Sequence, residues 1–413
     1  MYNLHLNAEQ LEIRETVRHF VSREIRPVVL NAERLDVCDR RLPMQLLDQA
    51  SQIGLRTLAL SQDHGGAGGD HLTSCIVTEE LATGDADIAA SLSATSWLGH
   101  LLFDRAMTDA QCNRYLPKFA SDNRFYLALA SHEAETDTRL GVNYHRAALT
   151  DTVVKTVAVK AANGEWIING VKDYVANAPI AALFAVLVKI PGQSTSRVLL
   201  VPSDSAGLSV RRHERPWLHG CSGDVSFKDC RVPADNLLGD DAATLLAGVG
   251  AQCENLPLFQ ALNLGIGRAA YEAALDYSHL RVQGGRPLIE HQAIGTKLAE
   301  IAVKLEVARG AIWRAAWASD HPTAIADRSL PDLPLQAIAR VFTSEMMVTA
   351  TKGAAEIFGA MGVMRDMPLQ KYVHDARVCL HSGDGNSDAK LRIAEVIAGY
   401  RRTANEAMAI AGE

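Results

Sequence analysis

The sequence predicts an α+β multidomain fold, with a helical region at each end and a β-rich domain between them. Three observations predict it. At 413 residues the chain is too long for one ordinary hydrophobic core. Apolar residues recur at helical spacing in the first third and again after Gly239. Between those regions lie short runs rich in β-branched residues, separated by turn formers. The expected division is residues 1–122, 123–238 and 239–413, with the chemistry where the three regions meet.

Hydrophobic residues make up 48% of the chain and charged residues 22%, the balance of a globular protein rather than a disordered one. Net charge is −7 and no long basic run occurs, which gives a nucleic-acid or anionic-membrane partner little electrostatic support. The N-terminal residues lack the cationic flank and apolar run of a secretory signal. No stretch reaches the roughly 20 apolar residues of a membrane-spanning helix. Seven dispersed cysteines without a CxxC pair read as free thiols rather than a disulfide framework or zinc site, so a cytoplasmic location is expected.

The first helix starts near Leu6-Asn7-Ala8-Glu9-Gln10 and carries apolar residues at Leu11, Val17, Phe20, Val21 and Ile25, with Pro27 near its end. A second spans Leu42 to Ile53 and closes at Gly54. His64-Gly65-Gly66-Ala67-Gly68-Gly69-Asp70 must be a loop, because ordering so many glycines in a helix or strand is costly. Helical spacing resumes from Leu72 through Ala82, continues to about His100, and returns over Asp109 to Leu116.

Strands are expected over Val153–Val159, Glu165–Ile168, Phe184–Ile190, Arg197–Val201 and Leu208–Val210, in an antiparallel arrangement. Asn163-Gly164 sits between two extended runs, a hairpin signature, and Asn169-Gly170 and Pro191-Gly192 read as further turns. Beyond Gly239, Leu256–Leu280, His291–Ser319 and Leu335–Phe358 suit helices packed as a bundle, with a proline-bearing loop over Asp320–Pro334.

These elements, with several short motifs, resemble the acyl-CoA dehydrogenase superfamily over nearly the whole chain. The motifs are Gly54-Leu55 with His64-Gly65-Gly66-Ala67-Gly68, Glu79-Glu80-Leu81-Ala82, Val225 to Pro233, Arg286 to Gln292, Glu356 to Gly362, and Asp375-Ala376-Arg377. Ser61 stands where the family commonly has proline. The resemblance implies an N-terminal helical domain, a middle antiparallel β-barrel and a C-terminal four-helix bundle, assembled as a homodimer or homotetramer. It implies FAD as cofactor and an acyl thioester of coenzyme A or a carrier protein as substrate. The reaction would remove the α-proton and pass the β-hydrogen as hydride to the flavin. That requires a carboxylate base, an electrophilic flavin and donors to the thioester carbonyl.

The family's usual base lies in a Glu-Gly-Thr/Ser segment, and here the corresponding run is Ser382-Gly383-Asp384-Gly385-Asn386-Ser387. Counting forward from Asp375 places Gly383 at the glutamate position. Counting back from the final helix places Asp384 there and Asn386 on the threonine, the alignment favoured here. The other reading of Asp384 is turn or N-cap chemistry. Some family members carry the base at the start of the first bundle helix, where Glu254 falls within one residue of the position. Its other reading is a carboxylate favouring a helix N-terminus.

The flavin-contacting positions follow from the same resemblance. The family's Trp-Ile-Thr/Ser-Asn run corresponds to Tyr174-Val175-Ala176-Asn177, which keeps a ring but has no hydroxyl at Ala176. Its glycine-rich flavin and pyrophosphate loop corresponds to the segment from Ser131 and His132 to Thr136 and Asp137, without the glycines that let backbone N–H groups approach phosphate. For the adenine dinucleotide the matching positions are Arg281, His291, Gln292, Glu356 and Gly359. Glu356 replaces a glutamine, and Gly284 replaces a phenylalanine. Arg281 can pair with pyrophosphate through two donors. No metal is expected: His132, His219, His291 and His381 lack metal-ligand spacing and read as hydrogen-bonded structural histidines.

Three functions stay in view. The first is the flavin-dependent oxidation of an acyl thioester. The second is another reaction on the same scaffold, either flavin–oxygen chemistry or a redox-neutral elimination or isomerisation. The third is a binding protein that has lost FAD.

Overall fold

The computed structural model describes residues 5–31, 35, 41–133, 154–214, 218–250, 256–321, 334–382 and 385–398. Helix α1 (Ala8–Phe20) opens on a capping box in which Asn7 and Gln10 satisfy each other's backbone N–H. It runs through a π turn (Val21–Ile25) into α2 (Arg26–Val29), which accommodates Pro27. Helix α3 (Met44–Gln52) ends at Gly54, whose φ of +85° supplies the left-handed closure expected there. Asp70 and Asp85 cap α4 (His71–Gly84) and α5 (Ala86–Leu101), and both helices are buried almost all round. A second π turn (Leu102–Ala106) leads to α6 (Asp109–Ser121), longer than its apolar spacing suggested and running through Pro117.

The β-domain departs from a barrel. Strands β1 (Tyr126–Ala130), β2 (Val157–Lys160), β3 (Trp166–Ala176), β4 (Ala181–Val188), β5 (Arg197–Pro202), β6 (Leu208–Arg212) and β7 (Ser222–Val232) form two sheets, ordered β1-β4-β5 and β2-β3-β7-β6. Among the described residues neither sheet closes. The expectation of a wholly antiparallel domain is also corrected, since β1 pairs parallel to β4. The chain between them carries the β2–β3 hairpin, and a crossover that long permits parallel pairing. Strand β1 escaped the sequence reading because Tyr-Leu-Ala-Leu-Ala shows neither alternation nor β-branching.

Gly164, at φ +88°, turns the β2–β3 hairpin as Asn-Gly predicts. Asn169-Gly170 is not a turn. It is a bulge inside the 11-residue β3, where Gly170 brings its backbone against Thr156 and a Cβ would fall 2.7 Å from the Thr156 Cα.

Burial explains the remaining pattern. Phe184, Val186, Leu199 and Val201 pack against Ile168, Val225 and Phe227 of the other sheet. The alternate residues Leu183, Ala185, Val198 and Leu200 enter a core shared with the helical regions. With both faces covered, β4 reads as an unbroken apolar run.

After α7 (Ala242–Gly250) come α8 (Pro257–Leu280), a short hairpin of β8 (Val282–Gln283) and β9 (Arg286–Pro287), α9 (Gln292–Asp320), α10 (Leu335–Phe358), α11 (Leu369–His381) and α12 (Gly385–Ile397). Helices α8 and α10 run parallel: a Cβ on Gly267 would strike Met347, and Tyr277 stacks on Phe358 at 4.1 Å. The N-terminal helices join this bundle through α4. Glu79 accepts from Arg268 at 2.6 Å and Arg309 at 2.8 Å, and Glu80 accepts from Arg268 and from Arg18 at 2.9 Å. Two buried carboxylates thus meet three guanidinium groups, and at Glu80 and Arg268 burial opposes the charge less than the pairing favours it.

Candidate functional site

The end of β3 presents the most unusual backbone in the domain. Tyr174 has φ +52° and Asn177 φ +61°, a left-handed region that bulky residues rarely occupy. Tyr174 is 42% exposed. Asn177 is buried, and its Nδ2 donates to the Ser91 carbonyl at 3.0 Å and to Thr95 Oγ1 at 3.1 Å, fastening β3 onto α5. Ala176 lies between them on the strand.

Polar groups surround the tyrosine. His213 lies 4.9 Å from its ring and binds Asp224 through Nε2 at 2.8 Å. Arg211 also pairs with Asp224, which accepts the Tyr174 N–H at 3.3 Å. Burial works against the Asp224 charge, but Arg211 and His213 outweigh it and hold its pKa below the usual carboxylate value. On the other side the His132 ring is 6.3 Å away, edge-on, and its buried Nδ1 has no partner among the described residues.

Ser131 and His132 adjoin a buried charge pair between Lys172 and Glu133. Lys172, fully buried on β3, donates to Glu133 Oε1 at 2.5 Å and to the Ser131 carbonyl at 3.4 Å. Glu133 also accepts from Thr156 Oγ1 at 2.7 Å and the Lys155 N–H at 2.7 Å. Desolvation pushes the Glu133 carboxyl up, but Lys172 and Thr156 bring it below its ordinary pKa. A lysine inside a strand was the available signal, since a charge on an inward position needs a partner. Thr136 lies outside the described residues, as do Glu254 and Asp384.

The chain on either side of residues 383–384 is anchored on α10. Arg340 Nη2 donates to the Ser382 carbonyl at 2.8 Å. One turn later, Ser344 Oγ donates to Asn386 Oδ1 at 3.0 Å, and Asn386 Nδ2 reaches Glu345 at 3.3 Å. Arg340, Thr343 and Ser344 are all buried. Polar residues on a helix face that bundle packing must cover were the signal for this anchor.

Arg281, His291, Gln292, Glu356 and Gly359 form a separate group. The Tyr277–Phe358 stack puts the Arg281 end of α8 and the Gly359 end of α10 at one end of the bundle. His291 Nε2 donates to the Gln283 carbonyl at 2.9 Å, closing the β8–β9 hairpin, and Gln292 begins α9. Glu356 pairs with Lys297 at 2.5 Å, so a lysine offsets the charge that replaces glutamine. Gly359, at φ +59°, ends α10.

His219 does more than a surface histidine would. Its Nδ1 faces Asp87 of α5 at 3.2 Å, its Nε2 donates to the Asp375 carbonyl of α11 at 3.0 Å, and the Cys379 thiol lies against the ring. It therefore ties the β-domain to both helical regions. A small apolar chamber lies between α4, α5 and the first turn of α8, lined by Leu81, Leu92, Trp97 and Leu258 among others. Leu92 and Ser96 on its wall are the chain neighbours of Ser91 and Thr95, which hold Asn177.

Fold and junction together define a three-domain α+β protein. Comparisons with known proteins assign all three parts. The acyl-CoA dehydrogenase N-terminal, middle and C-terminal domain families match residues 7–123, 147–230 and 257–397. A probable acyl-CoA dehydrogenase, YngJ, of Bacillus subtilis is 30% identical over 94% of this chain and 97% of its own. The mitochondrial short-chain specific acyl-CoA dehydrogenase of Sus scrofa is 26% identical over 89% of this chain and 84% of its own. In fold, the butyryl-CoA dehydrogenase of Megasphaera elsdenii superposes with a TM-score of 0.80 at 23% identity, covering 96% of this chain and all of that one. The chain belongs to the acyl-CoA dehydrogenase family and is an oxidoreductase of that type.

Proposed function

We propose that the protein is a flavin-dependent oxidoreductase acting on an acyl thioester of coenzyme A or a carrier protein, with FAD as its cofactor. The exposed Tyr174 ring carries this reading. It is held in strained backbone on the strand that Asn177 fastens to α5, one wall of the α4–α5–α8 chamber, and a planar ligand can stack on it. The described residues fit a flavin: a partly exposed tyrosine ring lies 6.3 Å from the His132 ring, whose buried Nδ1 has no partner among the described residues. Arg281 would pair with the pyrophosphate, and His291, Gln292, Glu356, Gly359 and Asn386 are the remaining proposed contacts, with Ser131, His132 and Thr136 on the β-domain side. When bound, FAD supplies the hydride acceptor.

Asp384 is the proposed base for the α-proton, held by the anchored chain ends at Ser382 and Asn386; Glu254 is the alternative. An aspartate is one methylene shorter than the usual glutamate, roughly 1.5 Å of reach. Ala176 cannot offer the hydroxyl expected of the hydride-accepting side. That favours, as second reading, a flavin oxidase or monooxygenase, or a redox-neutral elimination or isomerisation, on the same scaffold. Homodimer or homotetramer assembly is part of the proposal, as is a cytoplasmic location, which the free thiols support.

The absorbance spectrum of the purified protein tests these readings. A flavin band bleached anaerobically by an acyl thioester is expected. A band unmoved by thioesters but oxygen-reactive once reduced would favour the second reading, and a colourless protein that FAD cannot reconstitute would leave only a binding role. Asp384→Asn or Glu254→Gln should slow turnover by about a hundredfold or more, the scale of a general base. If neither does, both assignments fail.

A further inference from the structure

The chamber between α4, α5 and α8 is apolar in outline, but four hydroxyl residues stand in its wall: Ser74, Thr78, Ser93 and Ser96. Three are accounted for. Thr78 Oγ1 lies 2.7 Å from both the Ser74 carbonyl and Ser93 Oγ, and Ser96 Oγ accepts the Ala59 N–H at 2.9 Å. Ser74 Oγ is buried and has no partner among the described residues, although its residue is only 7% exposed. A buried hydroxyl without a partner is costly, so one of this kind in a chamber wall calls for a partner from within the chamber.

The chamber is also short. Its free volume is about 10 Å³, room for a single group the size of a water molecule. Trp97 bounds it and is wedged against the rings of His71, at 4.1 Å, and His100, at 5.2 Å. His71 is fixed in turn by Asp320 at 2.5 Å. A longer chain would have to displace that whole stack.

We infer that the chamber receives only the far end of a short acyl group, a hydrogen-bonding substituent such as a hydroxyl, which Ser74 meets. This rests on the acyl-thioester reading above and adds the class of acyl group to it. The same chamber should reject long unbranched alkyl chains, because Trp97 closes it, and should discriminate against a methyl where the hydroxyl would sit.

Calorimetric binding to the holoenzyme tests it with an isosteric pair, 4-hydroxybutyryl and pentanoyl, together with octanoyl, each as a coenzyme A and as a pantetheine thioester. The 4-hydroxybutyryl thioester should bind about fivefold to tenfold more tightly than the pentanoyl one, the worth of one neutral hydrogen bond. Ser74→Ala should bring the pair to within about twofold of each other by the same reasoning. Trp97→Ala should admit the octanoyl thioester. Pentanoyl or octanoyl binding the wild type as tightly as 4-hydroxybutyryl, or the preference surviving Ser74→Ala, overturns the inference and leaves the thioester reading intact. If no thioester binds in either form, the thioester reading itself falls and the inference with it.

Discussion

Arg340 Nη2 donates to the Ser382 carbonyl at 2.8 Å, joining the interior of α10 to the end of α11 just before the segment that holds Asp384. Arg340 is almost fully buried, so the guanidinium holds this carbonyl where water cannot replace it. Arg340→Met should lower kcat by about a hundredfold, the scale of a small misplacement of a catalytic group, with KM little changed. It should also cost about 1–3 kcal/mol of stability for the unmet carbonyl. Arg340→Lys should recover part of kcat. Steady-state kinetics and urea unfolding on the same samples would decide the matter, and an unaltered kcat in a folded Met variant would sink the positioning role.

The Lys172–Glu133 pair is buried on both sides, so losing one partner strands the other. Lys172→Met should destabilise the protein by about 3–5 kcal/mol, and adding Glu133→Gln should recover much of that. The pH dependence follows from the Glu133 shift. Its folded pKa lies below the ordinary value near 4.5, so its contribution is full above that value and is lost as pH falls through the folded pKa. Melting temperatures of wild type and Glu133→Gln should therefore converge on acidification below about pH 4.5. A gap that stays constant with pH would contradict this.

The helices were legible because their apolar spacing and caps agree: Asn7 with Gln10, Asp70, Asp85 and Gly54 all act where their residue types suggest. What could not be read was determined by partners distant in sequence. The parallel pairing of β1 with β4 leaves no local trace, and Asn169-Gly170 has turn composition yet serves a bulge because Thr156 presses on it. In the site, the ring at Tyr174 and the missing hydroxyl at Ala176 were visible as residue types. Lys172, Arg340 and His219 gained their roles only when folding buried them beside Glu133, Ser382 and Asp87.

Gly265 brings the backbone of α8 close against α4. A Cβ there would fall 2.4 Å from the Glu79 carbonyl oxygen, inside α4, whose place the paired Arg268 and Arg309 fix. Gly265→Ala should cost about 1–3 kcal/mol or more, the range for overpacking, despite the better helix propensity of alanine. Gly310, exposed on α9 with nothing near its Cβ, is the control. Gly310→Ala should stabilise by about 0.5–1 kcal/mol. Chemical denaturation of the two variants reads both signs, and equal effects at the two sites would refute the close-packing account.

His219 links three domains through one ring, and its protonation should set how firmly they hold. Burial opposes its charge, but Cys379, Asp87 and Asp375 outweigh that and raise its pKa well above the ordinary 6.5. A raised folded pKa means that the stabilisation is complete below about pH 6.5 and is lost as pH rises through the folded value. His219→Gln should therefore cost most at low pH, about 1.5–3 kcal/mol for the charged hydrogen bonds removed. The gap between wild type and variant should narrow steadily into the alkaline range. Urea midpoints measured across that range would show it. A gap that widens with pH would mean that the ring is buried neutral and that its bonds to Asp87 and Asp375 hold the domains without charge.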